Sequence, residues 1–381
     1  MSKMVFVTAV PETISSFLLI YINSLAEDHD VHIATSLPSG ETVRGLSLAV
    51  TTHNVNIARN PDVFSDLKSL WQLFLFFKKE KFDVVHSFTP KAGLLAQISS
   101  FFARSPIRFH TFTGQVWATK TGIARTLLKQ LDKVTATLAT FCLVDSVSQQ
   151  NFLIHEEIVT EVNSQVLANG SISGININKF SFSQETRQRL RDEHNVKEDE
   201  FVFLYVGRLK KEKGIPELIN GFTAIKTEKS VKLFIIGSDE ENLAHLFENH
   251  SNIEYIGFKT NISEYYSFAD TLCLPSHREG FGNVIIEAAA CNLPAIASNI
   301  YGLCDAVEDG YSGLLHDVKN ENSITSSMEK MVNNEINLSQ MRKDARMRVE
   351  EVFDEQHLLK EFLTFYDKFI GPLQVGVKTN D

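Results

Sequence analysis

Four charged side chains lie in two loops of the second half of the chain, and their spacing suits a diphosphate. Arg208 and Lys213 follow the apolar run 201–206, in the sequence Val-Gly-Arg-Leu-Lys-Lys-Glu-Lys-Gly. Glu279 and Glu287 lie eight positions apart in Arg-Glu-Gly-Phe-Gly-Asn-Val-Ile-Ile-Glu-Ala. Two fixed cations beside the start of a helix favour a diphosphate, because the free amides of the first helical turn add to their field.

The turn that begins with Glu279 is predicted to lead directly into a helix. Glycine at 280 allows the chain to turn, and three amides that follow would be unpaired donors pointing at an anion: those of Phe281, Gly282 and Asn283. Glu287 would lie about one turn into the helix, where its carboxylate can accept from two vicinal hydroxyls, as in a ribose. Alone, Glu287 is typical of an exposed helical glutamate. Its combination with Glu279, Gly280 and Gly282 favours a binding site.

Alternating β-branched runs and amphipathic stretches position these loops and predict βα units with parallel sheets. In the first half we predict strands at 4–10, 31–35, 48–53, 83–88, 107–112, 141–145 and 165–167, and helices at 14–26, 64–79, 92–102 and 122–139. In the second half we predict a helix at 185–194 and strands at 201–206, 232–236, 253–256, 271–274 and 295–297.

This alternation predicts an α/β protein with two Rossmann-like domains whose parallel sheets face a central cleft. The first domain is expected over residues 1–170, and the polar segment 171–200 reads as a linker. The second domain is expected over 201–355, and an apolar helix at 356–370 is expected to pack back on the first domain.

Bulk composition limits the class of protein. The 381 residues include four cysteines without a C-x-x-C pair, which predicts free thiols in a reducing compartment rather than disulfides or a metal cluster. We find neither a signal peptide nor a stretch of ~20 apolar residues that could span a bilayer. Residues 59–133 carry a net charge of +7 in a chain of net −10.

The basic segment contains several phenylalanines, which favours an anionic membrane surface over nucleic acid as its partner. The alternative is that these residues pack as core with the lysines as a solvated edge. The phenylalanines in question are Phe74, Phe76, Phe77, Phe101 and Phe102.

The motif from Glu279 to Glu287 resembles the signature of family 4 retaining glycosyltransferases of the GT-B fold. The resemblance extends to three further segments: Val206–Ile215, Tyr255–Phe258 with the following Tyr265–Asp270, and Gly302–Gly313. It covers essentially the whole second half of the chain.

This resemblance implies a role for each matching residue. Arg208 and Lys213 would neutralise the leaving diphosphate, Glu287 would hold the donor ribose, and Glu279 would contact the sugar near O3. Further donor contacts would come from the backbone: the amides of Phe281, Gly282 and Asn283 after Gly280, and the main chain at Gly257 and Phe258 beside the base.

The first half is similar to bacterial transferases that build surface polysaccharides on a polyprenyl carrier. His86-Ser-Phe-Thr-Pro and His110-Thr-Phe-Thr-Gly are each predicted to follow a strand and are therefore expected to face the cleft. The resemblance favours His110 over His86 as the histidine near C6 of the sugar. A loop-bonding role is the alternative for either, and Thr8–Thr13 replaces the family's glycine-rich first loop.

The predicted activity is therefore metal-independent, retaining transfer of a sugar, with a front-face route preferred to a covalent Glu279 intermediate. No Asp-x-Asp pair suits a catalytic cation, so no metal and no cofactor beyond the nucleotide-sugar substrate is expected. The resemblance implies a UDP-linked N-acetylhexosamine, with UDP-hexose or GDP-mannose as alternatives. The expected acceptor is a polyprenyl-linked saccharide at the cytoplasmic face of the inner membrane.

Two other functions remain open at this point. A sugar-nucleotide epimerase on the same scaffold would act without an acceptor, and an inactive nucleotide-sugar-binding partner would not turn over. A nicotinamide dehydrogenase is disfavoured, because no G-x-G-x-x-G follows a strand.

Overall fold

The structure is a computed structural model that describes residues 1–37, 42–58 and 62–371. The chain forms two compact units. The first consists of Met1–Asp145, Gln150–Ala168 and the chain from Gln356 onward. The second consists of Ser146–Gln149 and Asn169–Glu355. No helix of the described residues is long and apolar enough to cross a bilayer.

The first unit is built on a seven-stranded, wholly parallel sheet. Its strands are β1 Lys3–Val7, β2 Asp30–Thr35, β3 Thr51–Asn54, β4 Val84–Phe88, β5 Ile107–Phe112, β6 Phe141–Val144 and β7 Ser164–Val166. Their order in the sheet is β3-β2-β1-β4-β5-β6-β7. The first strand ends at Val7, three residues before its predicted end, because the Thr8 hydroxyl donates to the carbonyl of Val10 and a helix starts at Pro11.

Helices cover this sheet. They are α1 Pro11–Thr13, a π-helical turn Ile14–Leu18, α2 Leu19–Leu25, α3 Val63–Glu80, α4 Pro90–Ala103, a 3-10 turn Val116–Thr119, α5 Gly122–Leu138, α6 Val147–His155 and, from the C-terminus, α14 Glu355–Ile370. The last of these packs on the first sheet. Phe362 stacks on Tyr21 at 4.2 Å between ring centroids, and the Tyr366 hydroxyl lies 2.7 Å from Nδ1 of His86.

The second unit contains a six-stranded parallel sheet. Its strands are β8 Phe201–Val206, β9 Val231–Ile236, β10 Ile253–Gly257, β11 Thr271–Leu274, β12 Ala295–Ser298 and β13 Gly313–His316. Their order is β10-β9-β8-β11-β12-β13, so the direction of progression reverses between β8 and β11. In open α/β sheets, ligands bind at the carboxyl ends of the strands beside such a reversal.

For the helices of the second unit, the sequence analysis predicted α7 and the start of α10 but gave no bounds for the others. The helices are α7 Gln184–Glu193, α8 Ile215–Thr223, α9 Ile262–Phe268, α10 Asn283–Ala290, α11 Leu303–Ala306, α12 Glu321–Val332 and α13 Leu338–Val352, with 3-10 turns at Lys211–Lys213 and Ala244–Leu246.

Residues 171–200, predicted as a linker, make their contacts within the second unit. The Ile175 amide donates to the Phe353 carbonyl at 2.8 Å. Helix α7 packs on α9, and Arg187 donates to the carboxylate of Asp270 at 2.7 Å. This segment is therefore integrated into the fold of the second unit.

Candidate active site

Two loops of the second unit lie side by side because the strands they follow are neighbours. Residues 207–214 leave the carboxyl end of β8, and residues 275–282 leave the carboxyl end of β11. This places both charged motifs at the reversal of strand order.

Backbone geometry fixes how closely the two loops approach. Gly214 has φ +73°, and a Cβ atom there would lie 2.1 Å from the carbonyl oxygen of Pro275. The His277 amide donates to the Glu212 carbonyl at 2.9 Å. Only glycine satisfies both the left-handed conformation and the contact, so Gly214 allows the two loops to meet.

Side-chain contacts also join the Glu279 turn to the 207–214 loop and to the helix that follows it. An Arg278 nitrogen lies 3.4 Å from the carboxylate of Glu212, and His277 Nε2 lies 2.9 Å from Glu217 at the start of α8. The Arg278 guanidinium contributes to a lowered pKa of Glu212, although burial opposes it. Sequence reasoning missed these pairs, because charges in separate loops have no fixed spacing along the chain.

Lys213 and Glu279 form the centre of the site. The Lys213 ammonium group donates to Oε1 of Glu279, and both side chains are largely buried. The Ser276 hydroxyl donates to the same oxygen at 2.9 Å. An ammonium group carries three donors, so Lys213 can hold Glu279 and still donate to a bound anion.

Arg208 lies in the same loop but has a different partner. Its guanidinium lies 3.4 Å from Glu240, which also pairs with Lys210 at 2.8 Å. The structure therefore does not pair Arg208 with the Glu279 turn. The Tyr205 hydroxyl donates to the Arg208 carbonyl at 2.9 Å, and burial together with the Glu279 charge raises the Tyr205 pKa. Tyr205 thus stays neutral, and its hydroxyl holds the backbone at Arg208.

The N-terminus of α10 provides the predicted amide donors. Gly282 precedes the helix with φ +87°, and a Cβ atom there would lie 2.4 Å from Leu303 Cδ2. Phe281 is buried against Phe353, and Oδ1 of Asn283 accepts from the Ser171 hydroxyl at 3.1 Å. These contacts fix the first turn, whose amides have no partner within the helix.

Glu287 lies on α10, where it is partly buried. The Tyr266 hydroxyl of α9 donates to its Oε2 at 2.8 Å. Burial raises the pKa of Glu287 to about 7, while the Tyr266 hydrogen bond and the Lys179 charge act in the opposite direction. The sequence analysis included Tyr266 in a segment that resembles the family, Tyr265–Asp270, but gave it no role.

The predicted base-binding residues lie at the end of the edge strand β10. Gly257 has φ +77°, and its carbonyl accepts from the Gly237 amide at 3.0 Å. The Phe258 side chain is 72% exposed. The strand β10 is two positions from β8 in the sheet, and contact of these residues with a base stays a prediction.

The prediction that His110 and His86 follow their strands and face a cleft is wrong. Both lie within strands, β5 and β4, and both are buried. His110 Nδ1 lies 3.0 Å from the Ser87 hydroxyl, and the ring packs against Gly93 of α4. Burial lowers the pKa of His110 to about 3 and that of His86 well below 6.5. His110 is thus a neutral residue of the core, and nothing in this geometry supports its predicted role as a catalytic residue.

Comparison with known proteins places this site in a family. The profile of the family described as "Glycosyl transferases group 1" matches residues 186–348, and that of "Glycosyl transferase 4-like domain" matches residues 19–170. A capsular polysaccharide biosynthesis glycosyltransferase, CapM of Staphylococcus aureus, is 34% identical over 350 residues, which cover 90% of each chain. The chain belongs to the family 4, group 1 glycosyltransferases. This glycosyltransferase is also 25% identical over 387 residues to a Campylobacter jejuni enzyme, covering 96% of this chain and 98% of that protein.

The Campylobacter jejuni relative is an N,N'-diacetylbacillosaminyl-diphospho-undecaprenol alpha-1,3-N-acetylgalactosaminyltransferase. Among solved structures, Anabaena Alr3699/HepE in complex with UDP and glucose has a TM-score of 0.78 at 16% identity, covering 97% of this chain and all of that chain. The glycosyltransferase therefore has the GT-B fold, with a Rossmann-like parallel sheet in each half, as predicted from the resemblance.

Proposed function

We propose that this glycosyltransferase moves a sugar from a UDP-linked donor to a saccharide carried on polyprenyl diphosphate, with retention at the anomeric carbon. The observation that carries the proposal is the meeting of Lys213, Glu279 and the first turn of α10 at one edge of the second sheet. UDP is supported by the complex of the structural neighbour, and a polyprenyl-linked acceptor by the name of the Campylobacter jejuni relative. That name also supports an N-acetylhexosamine as the sugar.

Electrostatic stabilisation is the main chemistry that this arrangement offers. Cleavage of the anomeric C–O bond leaves negative charge on the β-phosphate and positive character on the sugar ring. Lys213 and the amides at the start of α10 would stabilise the phosphate, since fixed donors and a helix N-terminus need no reorganisation as charge develops. Glu279, held by Lys213 and Ser276, would orient the sugar.

Arg208 would join the site by exchanging partners. Its side chain is 41% exposed and pairs at 3.4 Å with Glu240, which keeps Lys210 as a second partner. An exposed pair of this kind contributes at most about 1 kcal/mol. A diphosphate that offers bidentate contacts can therefore displace it.

A donor and acceptor screen tests the proposal. We expect UDP-N-acetylhexosamine, with a polyprenyl-diphosphate-linked saccharide, to give a product whose new linkage keeps the donor's anomeric configuration by NMR. An inverted linkage would refute retention. A changed sugar nucleotide formed from donor alone would show an epimerase, and donor binding without either reaction would show an inactive partner.

We also expect the reaction to be independent of divalent metal, because Lys213, Arg208 and the α10 amides would carry the diphosphate charge. Activity measured after dialysis against EDTA should stay within about twofold of the untreated enzyme, a barrier difference below about 0.4 kcal/mol. Strong loss with EDTA that Mg²⁺ or Mn²⁺ restores would contradict the metal-free scheme.

The first unit has a surface suited to the membrane that carries such an acceptor, and we propose peripheral binding there, on the cytoplasmic face. Helix α4 packs between α3 and α5. The apolar side chains Phe64, Leu67, Trp71 and Leu75 recur every three or four residues on α3 and are exposed, Phe64 by 86%. The same three helices expose further apolar side chains, namely Val63, Phe101, Phe102, Ile123, Leu127 and Val134. We call this surface the α3–α5 face.

Basic residues accompany these apolar side chains. Those exposed on or beside the three helices are Lys68, Lys78, Lys79, Lys81, Arg104, Lys120 and Lys133. Apolar side chains with flanking cations suit insertion into the headgroup region of an anionic bilayer. Phe77, in contrast, is buried, so the alternative of core packing holds for part of the segment. Arg59 lies outside the described residues.

Charge neutralisation on the α3–α5 face should weaken vesicle binding. We expect Gln in place of Lys78, Lys79, Lys81 and Arg104 to reduce sedimentation with vesicles containing phosphatidylglycerol by at least tenfold, since each cation near such a surface contributes about 1 kcal/mol. The matched control replaces four exposed lysines of the second unit, Lys226, Lys319, Lys330 and Lys343. Equal binding by the two variants would remove the membrane proposal.

A further inference from the structure

A hydroxyl group from α9 occupies one oxygen of the predicted ribose-binding carboxylate. Tyr266 is 1% exposed, and its hydroxyl donates to Oε2 of Glu287 at 2.8 Å. Buried tyrosine hydroxyls require a partner, and within the described residues the partner is this carboxylate. The pKa of Tyr266 is raised well above 10 by burial and by Glu287, so the hydroxyl stays a donor.

This contact divides the two oxygens of the carboxylate between two tasks. The carboxyl group of a glutamate rotates about a broad torsion, with no strongly preferred angle. With Oε2 held by Tyr266, the plane of the group is fixed and Oε1 is left to accept from a ligand. A carboxylate held in place has less rotational freedom to lose when the ligand binds.

We propose that Tyr266 is a positioning residue that orients Glu287 toward the vicinal hydroxyls of the donor ribose, and that this contact makes the site prefer ribonucleotides to deoxyribonucleotides. The inference rests on the proposed function, because it assumes that Glu287 meets a ribose. The inference adds Tyr266 to the predicted donor site. This residue lies outside both charged loops, on helix α9, which follows β10 along the chain.

The charged and titratable groups around Glu287 indicate that Tyr266 also affects how nucleotide binding depends on pH. Lys179 and the Tyr266 hydrogen bond lower the pKa of Glu287 against the effect of burial, and the nearby Cys291 thiol has a raised pKa of about 12 and stays neutral. Loss of the Tyr266 bond should therefore raise the pKa of Glu287 further. The pH below which nucleotide binding weakens should then move upward.

The test compares Tyr266→Phe with Tyr265→Phe, a matched control. Tyr265 is also buried and lies on the same helix, but it makes no hydrogen bond to Glu287. Calorimetric titration with UDP and 2′-deoxy-UDP should give about tenfold weaker UDP binding in Tyr266→Phe, because Glu287 loses the hydrogen bond that orients it before the nucleotide binds. The preference of the wild type for UDP over 2′-deoxy-UDP should fall to less than about threefold. Tyr265→Phe should keep both values.

Two outcomes would overturn the inference. If Tyr266→Phe keeps the wild-type preference for UDP over 2′-deoxy-UDP, whether or not both nucleotides bind more weakly, Tyr266 has only a structural role and the inference is overturned. That result does not affect the proposed function. Failure of the wild type to bind UDP, or any other nucleotide, would overturn the proposed function and this inference with it.

Discussion

Replacement of Lys213 by alanine should lower kcat/KM for sugar transfer by about a thousandfold or more, because the leaving diphosphate loses a preorganised cation in a largely water-excluded site. Lys213 lies in the 207–214 loop, and its ammonium group donates to the carboxylate of Glu279. Its removal also leaves Glu279 without its cation, which adds a repulsive charge beside the phosphates. Steady-state kinetics with the donor identified in the screen measures the loss.

Lys211→Ala is the matched control for this prediction. Lys211 is two positions away in the same loop, with an exposed side chain, and its replacement should change kcat/KM by less than about threefold, below 1 kcal/mol. Glu279→Ala should abolish transfer like Lys213→Ala, with the fold retained by circular dichroism. A folded Lys213→Ala enzyme that kept a tenth of wild-type activity would contradict the assigned role of the ammonium group.

Replacement of Glu287 by glutamine should stabilise the ligand-free protein at high pH while it weakens donor binding. Burial raises the pKa of Glu287 from 4.5 to about 7. Because the pKa is raised in the folded state, the contribution of Glu287 to the free energy of unfolding is fully present below pH 4.5. That contribution is lost as pH rises through about 7. Glutamine cannot ionise, so Glu287→Gln should gain roughly 2 kcal/mol at pH 8 and about nothing at pH 4.

The same substitution should weaken UDP binding at least about tenfold at pH 8, since a neutral amide is a poorer acceptor for the ribose hydroxyls than a carboxylate. In the wild type, UDP affinity should fall as pH drops below about 7 and this fall should be absent in Glu287→Gln. Thermal unfolding and calorimetric titration across pH 4 to 8 measure both effects. An equal Tm difference between variant and wild type at the two ends of the range would contradict the assignment.

The sequence predicted the position of the charged loops because strand ends are visible as apolar runs that stop at glycine and charge. Strand 201–206 was predicted at its observed bounds, and the two loops meet because β8 and β11 pair in parallel. The direction in which each side chain points could not be predicted from the sequence. Arg208 and Lys213 lie in one loop, yet the first turns to Glu240 and the second to Glu279.

His110 shows why a strand residue was misplaced. Helices cover both faces of the parallel sheet in the first unit, so the residues of β5 from Phe109 to Phe112 are all buried. The strand was predicted at its observed bounds, 107–112, but it has no alternation of polar and apolar residues that would show that His110 is buried.

Two other features escaped prediction for physical reasons. Strand β13, Gly313–His316, begins with glycine, a residue that is depleted in strands, and the sequence analysis did not recognise it. Tyr266 reaches Glu287 across 21 residues of sequence, and only the packing of α9 against α10 brings them together. Pairs of this kind have no local signal in one sequence.

Calorimetric titration of the wild type and Lys213→Ala with UDP and UMP tests most directly whether Lys213 and the α10 amides bind the departing diphosphate. We predict that the wild type binds UDP at least about tenfold more tightly than UMP, and that Lys213→Ala removes most of this difference while its affinity for UMP changes little. Equal binding of UDP and UMP by the wild type, or an undiminished preference for UDP in Lys213→Ala, would contradict the account.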